Sequence, residues 1–358
     1  MLIANGQGMT TEMYDLGNTE CNKRGPPIFP VEKFNETEID VGGIIKETPI
    51  VCGSHKSSDE NEARKSFCQI LKCGVWQQGP ELTTPRIGAS AVVLKDKLWI
   101  TGGYFDKIRE PLRSTELVSF DKSEPFVDLP IDVRGHCITQ VNNREIILIG
   151  GYSSHVVSVA NDHISKATYI FNIQSKTWKQ IQDLRVERRD HGCAVFRFDS
   201  TKVVVVAGGS SLKSSARTSV EFLRMDSLYK GWKIGPKLPW HLMNFPLVAS
   251  PTGTSLLALG GEGRSDIVER NRTVLEMKCG KSLKDCQWKA LPEKLTSARS
   301  GSVAMWLPKS LDLCYASKNV QNYILTYSIQ ISQSENFFQT RVFWLLADVN
   351  RGPQSTLI

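Results

Sequence analysis

The stretch LWITGGY at residues 98–104 decides the fold, because a short apolar and β-branched run ends directly in a pair of glycines. The pattern returns as IILIGGY at 146–152, VVVVAGGS at 203–210 and LLALGGE at 256–262, after two weaker copies, LIANGQ at 2–7 and TPIVCGSH at 48–55. Counted from Asn5 to Gly260, the first residues of the pairs are spaced by 48, 49, 48, 58 and 52 positions. A period near fifty indicates a repeat protein with loop insertions.

Other features keep the same phase within each unit. An alternating apolar run precedes each pair, as in IGASAVVLKDK at 87–97, and a short turn joins the two runs into a hairpin. A polar loop, a third strand and a fourth strand follow. The third strand carries a glutamate in most units and the fourth an aromatic residue: Glu12, Glu116, Glu221 and Glu276, then Trp76, Phe126, Trp178, Trp232 and Trp288. Each unit is therefore predicted to contain four strands.

This unit resembles the kelch repeat, which combines an apolar strand, a Gly-Gly pair and later tyrosine and tryptophan residues within about 50 residues. The resemblance covers residues 1–314 and is strongest to secreted invertebrate kelch proteins, whose cysteine pattern matches Cys21, Cys52, Cys286 and Cys314. Ser54 departs from that pattern, because it replaces the second glycine of its pair. The structural positions of the repeat are Gly53, Gly102, Gly103, Gly150, Gly151, Gly208, Gly209, Gly260, Gly261, Trp76, Trp178, Trp232 and Trp288.

The predicted fold is an all-β, six-bladed kelch β-propeller, since four-stranded units bury both faces only by stacking around an axis. The first pair lies close to Met1, so the blade at 1–28 lacks the strand that precedes the pair in other units. Residues 299–308 are expected to supply this strand and thereby to close the ring. The other blades are expected at about 36–80, 86–130, 133–184, 188–239 and 242–292. Residues 315–358 are expected to form a non-repeat tail, peripheral or poorly ordered.

Composition narrows the classes of function. The 44 Lys and Arg residues exceed the 37 Asp and Glu residues only slightly, so nucleic acid is not an expected partner. No run of about 18 apolar residues occurs, which argues against a membrane span. Cys279 and Cys286 flank a turn between two strand-like segments and form a candidate disulfide. A secreted monomer, its signal peptide missing from this sequence, is expected; a cytoplasmic protein with free buried cysteines is the alternative.

Catalytic and metal-binding motifs are weak. His136 beside Cys137 and His191 near Cys193 occupy matching places in adjacent units, but neither CxxC nor HxxxH spacing occurs, so no metal and no cofactor is expected. Copper radical oxidases also use kelch-type propellers, and the cluster of Tyr, His and Cys ligands that such a site needs is not apparent. The sequence therefore predicts a protein that is not an enzyme, with a propeller oxidase as the less favoured alternative.

The loops that gather on one face provide the candidate binding residues. They are Arg86, Arg134, Arg185, Arg188, Arg189, Trp240, His241 and Arg299. An arginine that recurs at the start of each inner strand can instead pair with the periodic glutamate, whereas Arg185 and Trp240 do not recur in phase. The hypothesis is a non-enzymatic protein-protein interaction module that presents this face to a protein or peptide. An intracellular kelch adaptor, either a ubiquitin-ligase substrate receptor or an actin-associated protein, is the alternative.

Overall fold

The computed structural model describes residues 1–4, 11–13, 37–55, 65–72, 75–105, 108, 110–155, 163–211, 217–263, 272–295 and 298–307. These residues form an all-β propeller with almost no helix. The strands β1 (Leu2–Ala4) and β2 (Thr11–Met13) come first and belong to a small sheet described below. In the described residues, helix is limited to two short 3-10 segments, Met225–Lys230 and Leu283–Asp285.

Five sheets of four antiparallel strands follow along the chain, and we name them blades 1 to 5. Blade 1 contains β3 (Thr37–Ile45), β4 (Thr48–His55), β5 (Lys65–Lys72) and β6 (Val75–Glu81). Blade 2 contains β7 (Ser90–Leu94), β8 (Lys97–Thr101), β11 (Thr115–Val118) and β12 (Ser123–Pro125), with the ribbon β9 (Tyr104–Phe105) and β10 (Glu110–Pro111) beside it. Blade 3 contains β13 (Cys137–Asn142), β14 (Glu145–Ile149), β15 (Thr168–Asn172) and β16 (Thr177–Gln180).

The last two blades have the same strand order. Blade 4 contains β17 (Gly192–Phe198), β18 (Thr201–Ala207), β19 (Val220–Arg224) and β20 (Lys233–Ile234). Blade 5 contains β21 (Leu247–Ala249), β22 (Leu256–Leu259), β23 (Thr273–Lys278) and β24 (Gln287–Lys294). In every blade the predicted hairpin of the first two strands is formed, and the third and fourth strands continue the sheet outward.

In the part of the chain that the structure describes, the number of four-stranded blades is five and not the predicted six. β1 lies between β2 and β25 (Val303–Met305) in a three-stranded sheet, which we name the terminal sheet, and Leu2 lies opposite Met305. The fourth strand expected for this unit falls within residues 14–36, outside the described residues. The predicted tail, 315–358, also lies outside them.

The first strands of the blades stand side by side around a central axis. β3, β7, β13 and β17 each contact the first strand of the next blade, and β25 contacts both β21 and β3. The hydrophobic core lies between the blades. In β18, Val203 and Val205 pack toward blade 5, whereas Val204 and Val206 pack toward blade 3. All four are fully buried, which explains why this strand is apolar without alternation.

The glycine pairs lie where one blade meets the next. Gly102 and Gly103 have φ values of 56° and 96°, and a Cβ on Gly102 would lie 2.3 Å from the Val133 carbonyl oxygen. The Gly103 N–H donates to that same oxygen over 2.9 Å. Glycine is required because both its backbone conformation and the close approach exclude a side chain. Gly53 differs, since it lies inside β4 in extended pairing with Ile39.

The repeated tryptophans also join neighbouring blades. The indole Nε1 of Trp178 donates to the Asp128 carbonyl oxygen over 3.0 Å, and Asp128 follows the last strand of blade 2. Trp232 makes the equivalent bond to Gln182 over 3.1 Å. Each indole therefore fills the space beside the preceding blade and also satisfies its own N–H, as a buried tryptophan requires.

Three disulfides occur in the described residues. The predicted Cys279–Cys286 bridge is present, between the third and fourth strands of blade 5. Cys52–Cys68 joins the adjacent strands β4 and β5. Cys137–Cys193 joins β13 to β17 and therefore links blade 3 to blade 4 covalently.

Candidate binding face at the channel mouth

A collar of backbone hydrogen bonds surrounds one end of the central channel. Its residues precede the innermost strands and all have positive φ: Gly88, Gly135, Asp190, Asn244 and Gly301. The N–H of each of the last four donates to the carbonyl of the equivalent residue in the preceding blade, over 2.7 to 2.9 Å. A Cβ on Gly135 would lie 2.4 Å from the Asp190 carboxylate, so the collar leaves no room for a side chain there. We name these five residues the collar.

Below the collar, the innermost strands enclose a cavity of about 370 Å³. Residues of all five blades and of β25 contribute to its wall, including Asp40, Ser90 and the Cys137–Cys193 disulfide. This volume lies near the lower end of the range for small-molecule sites.

Around the outer rim, the residue before each of the first four collar residues pairs with the residue that follows a glycine pair. The isolated bridges join Ile87 to Tyr104, Arg134 to Tyr152, Arg189 to Ser210 and Met243 to Glu262. We name these eight residues the mouth ring. Because both backbone groups of each bridge are hydrogen-bonded, the ring holds its side chains at fixed positions over the channel.

Arg134 has an unusual environment in the mouth ring. Its guanidinium carbon lies 5.0 Å from the ring centre of Tyr104 and 4.9 Å from that of Tyr152, so tyrosines of two adjacent blades clamp it. Such contacts stabilise a cation by about 0.5–1 kcal/mol at exposed sites and more where water is excluded. Within the described residues, its side chain makes no ion pair, and its buried Nε has no hydrogen-bond partner. Among the described residues, the guanidinium is thus held by aromatic contacts and not by a counter-ion.

The neighbouring charges are arranged differently. The Arg189 Nε lies 3.6 Å from the Asp190 carboxylate, which also accepts a hydrogen bond from Ser210 over 3.5 Å. Burial raises the pKa of Asp190, and the nearby Arg189 and Arg134 oppose this effect only in part. Arg189 and Asp190 therefore largely neutralise each other at the middle of the mouth ring.

Three of the predicted binding arginines lie inside the protein. Arg86, Arg188 and Arg299 are 2%, 0% and 1% exposed. Arg86 donates to Glu116 through Nε and Nη2 over 3.0 and 2.9 Å. Arg188 donates to Glu221 over 2.8 Å. Their burial removes these arginines from the predicted face, and the bonds of the first two correspond to the structural alternative for a periodic arginine.

The Arg86–Glu116 pair is fully satisfied by its surroundings. Arg86 Nη1 also donates to the carbonyls of Gly102 and Ser114 over 2.8 and 2.7 Å. Burial alone would raise the pKa of Glu116, but Arg86 and the hydrogen bonds from Ser123 and Thr83 hold it below its ordinary value. Glu276 does not take part in such a pair, because Leu275 lies opposite Ala258 where the glutamates of blades 2 and 4 would be.

The other predicted binding residues are not fully buried. Arg185 is exposed, and its backbone N–H donates to Glu221 over 2.7 Å. Trp240 is half-buried against the core between blades 4 and 5, and its indole N–H has no partner among the described residues. His241 is half-buried beside it. With Arg134 and Arg189, these three are the five predicted binding residues that are not fully buried.

The two histidines considered as metal ligands point between blades. A Cβ on Gly102 would lie 2.9 Å from the His136 ring, and His136 Nε2 lies 2.9 Å from Thr101 Oγ1. Burial lowers the pKa of His136 to about 3 and that of His191 well below its ordinary range, so both rings are neutral. The described residues contain no cluster of three or more His, Cys, Asp or Glu suited to a metal.

A polar cluster beside the mouth ring was not foreseen from the sequence. The buried Asp132 accepts hydrogen bonds from Ser153 over 2.9 Å, from Ser154 and from His155 Nδ1 over 2.6 Å. These bonds hold the pKa of Asp132 below its ordinary value, although burial works against them. Ser154 Oγ lies 3.3 Å from the same Nδ1, and not at the Nε2 that a base would use. The cluster therefore anchors a loop and is not a nucleophilic relay.

Comparisons with known proteins support the fold. No protein-family model matches the sequence, and no curated protein matches it. Among solved structures the chain is similar to YjhT, a β-propeller, with a TM-score of 0.58 and 11% sequence identity over 78% of this chain and 87% of that one. An identity this low shows the fold alone. By architecture and by this likeness, the chain is an all-β propeller.

Proposed function

We propose that this propeller is a non-enzymatic interaction module that presents its mouth ring to a protein or peptide. The observation that supports this most directly is Arg134, whose guanidinium is clamped by two tyrosines and has no counter-ion in the described residues. A charged group held in one position loses little conformational entropy when a partner binds. Arginine flanked by tyrosine is also the composition in which binding energy concentrates at protein interfaces.

The propeller is proposed to be of the kelch type, with the terminal sheet as a sixth blade that closes the ring. Two hydrogen bonds support this closure. Gly261 donates to the Arg299 carbonyl over 2.7 Å, and Gly301 donates to the Asn244 carbonyl over 2.8 Å. Both repeat bonds that join the other blades, and β25 contacts first strands on either side.

The protein is proposed to be secreted and monomeric. Three disulfides support an oxidising compartment, because cytosolic thiols are kept reduced. No helix in the described residues is long and apolar enough to cross a membrane. A cytoplasmic adaptor remains the second hypothesis, and a count of free thiols on native protein separates the two, since six protected cysteines among nine fit only the secreted form.

Affinity capture followed by mass spectrometry tests the binding function. Wild type, Arg134→Gln and Arg144→Gln are immobilised at equal density, Arg144 being an exposed residue in the β13–β14 turn at the opposite end of the innermost strand. A specific partner should be retained by wild type and Arg144→Gln and lost with Arg134→Gln, at unchanged melting temperature. Equal capture by all three would overturn the proposed face. Stoichiometric copper in the purified protein would instead favour the oxidase hypothesis.

A further inference from the structure

The buried arginines show how this protein treats a guanidinium that has no binding role. Arg86 and Arg188 each reach a glutamate within 2.9 Å, and Nη1 of each also donates to backbone carbonyl oxygens. Arg134 has two aromatic contacts instead, and within the described residues it has no carboxylate partner. An unneutralised, partly buried cation costs free energy, so its retention in a fixed clamp is typical of a site for an anionic group.

The clamp also selects the shape of that group. Tyr104 and Tyr152 contact the guanidinium of Arg134 from two adjacent blades and leave its edge for hydrogen bonding. The planar edge of arginine matches the two oxygens of a carboxylate. The acceptor at Arg134 is thus expected to be a carboxylate approaching along the channel axis.

A second unpaired charge lies across the mouth. Glu262 occupies the mouth-ring position of blade 5, two blades from Arg134, and its backbone is fixed by Met243 over 3.0 and 2.9 Å. Its carboxylate makes no ion pair or hydrogen bond with any residue that the structure describes. Between these two sites Arg189 and Asp190 engage each other over 3.6 Å. Among the described residues, the mouth ring therefore has one cation and one anion without a counter-ion, two blades apart.

We infer that the partner segment is dipolar, with an acidic side chain bound at Arg134 and a basic side chain bound at Glu262. This inference rests on the proposed binding function and names its chemistry. A phosphate, sulfated glycan or nucleic acid fits less well, because Glu262 repels a multiply charged anion at the same mouth. A segment that is only acidic would be attracted by Arg134 and repelled by the same Glu262 carboxylate.

Selection from a phage-displayed library of random 12-residue peptides tests this chemistry on the whole protein. Wild type is expected to enrich peptides with one Asp or Glu and one Lys or Arg at a fixed separation. Arg134→Gln should remove the preference for the acidic residue, and Glu262→Gln should remove the preference for the basic one. Arg144→Gln and Asp96→Asn, both in turns at the far end of the channel, serve as controls and should keep both preferences.

The strongest selected peptide is then synthesised and titrated. Either single variant should weaken its binding by about tenfold to a hundredfold, as the loss of a charge-assisted hydrogen bond does. Replacing the peptide's acidic residue by its amide should cause no further loss of affinity for the Arg134→Gln variant. This non-additivity would show that the acidic residue and Arg134 interact directly. Arg134→Lys keeps the positive charge but loses the planar edge with two donors, so it is expected to bind the peptide more tightly than Arg134→Gln. Such a recovery would show that the loss with Arg134→Gln is not a folding defect.

The outcomes separate this inference from the proposed function. If no peptide is enriched over the Arg134→Gln and Glu262→Gln variants, the mouth ring is not a peptide site and both proposals fail. If peptides are enriched but their charges are acidic only, or do not respond to Glu262→Gln, the dipolar partner is overturned and the interaction module stands.

Discussion

Replacing Cys137 and Cys193 together by alanine is expected to lower the free energy of unfolding by about 4 kcal/mol. The disulfide closes a loop of 56 residues between β13 and β17. It stabilises the fold chiefly because the unfolded chain loses entropy, and this loss grows with the logarithm of the loop length. For the loop of 7 residues closed by Cys279 and Cys286 the same relation gives about 2 kcal/mol.

The two pairs form a matched comparison, since each variant removes two sulfur atoms. Cys137 is half-buried and Cys193 is 7% exposed beside the central cavity, so alanine at either position leaves little new empty volume. Urea unfolding of wild type, Cys137→Ala/Cys193→Ala and Cys279→Ala/Cys286→Ala can be followed by tryptophan fluorescence. A thiol reductant should shift the urea midpoint of wild type toward those of the variants, and it should shift the midpoint of each variant less.

A particular pattern of midpoints would refute this reasoning. If the inter-blade pair destabilises no more than the short hairpin pair, then the loop between blades 3 and 4 is already restricted in the unfolded chain, or the bridge does not form. If the slope of the transition changes, blade 4 separates from the rest before global unfolding, and the comparison no longer reports loop entropy.

Two further predictions concern buried charges. Between pH 7 and pH 5 the free energy of unfolding should fall, because His136 becomes protonated in the unfolded chain, where its pKa is about 6.5, but stays neutral in the folded protein, where its pKa is about 3. Urea unfolding should show a loss of about 2 kcal/mol from this group. His136→Gln should make the free energy of unfolding less dependent on pH. Glu116→Gln should lower the free energy of unfolding by about 3–5 kcal/mol, because it leaves Arg86 buried without its counter-ion. Glu124→Gln in the adjacent strand, where the Glu124 side chain is 36% exposed, should leave the urea midpoint unchanged. Equal effects of the two variants would show that other groups neutralise Arg86.

The strand pattern could be predicted from the sequence because it depends on local physics. The run VVVVAGG at 203–209 is apolar without alternation, which indicates a strand buried on both faces, and its glycines satisfy a conformation that other residues resist. The Cys137–Cys193 bridge had a signal as well. Both residues occupy the same repeat position in adjacent blades, so their strands stand side by side. That coincidence indicates proximity, but together with the neighbouring histidines it was considered only as a metal site, which the residue spacing did not support, and no disulfide was predicted there.

The clamp around Arg134 could not be predicted, because it depends on how far each blade rotates against the next. Tyr104 and Tyr152 are 48 residues apart and meet the same guanidinium only after the blades pack. The cluster at Asp132 has the same origin. It collects donors from a loop more than twenty residues further along the chain, a distance at which no local pattern is informative.

The arginines divide according to a shift of one residue along the strand. Arg86 and Arg188 stand two residues before a collar residue, where the side chain points into the blade and meets its glutamate. Arg134 and Arg189 stand one residue before it, and because successive side chains point in opposite directions, they face the mouth. The sequence-based prediction placed all arginines near the inner strands in one basic ring and did not distinguish these two positions. The collar residue distinguishes the two positions, because it has a positive φ in each blade, as Gly88 does in one blade and Asp190 in another. Counting back from that residue separates the arginines that pair inside a blade from those at the mouth ring, and it leaves Arg134 as the cation on which the proposed recognition depends.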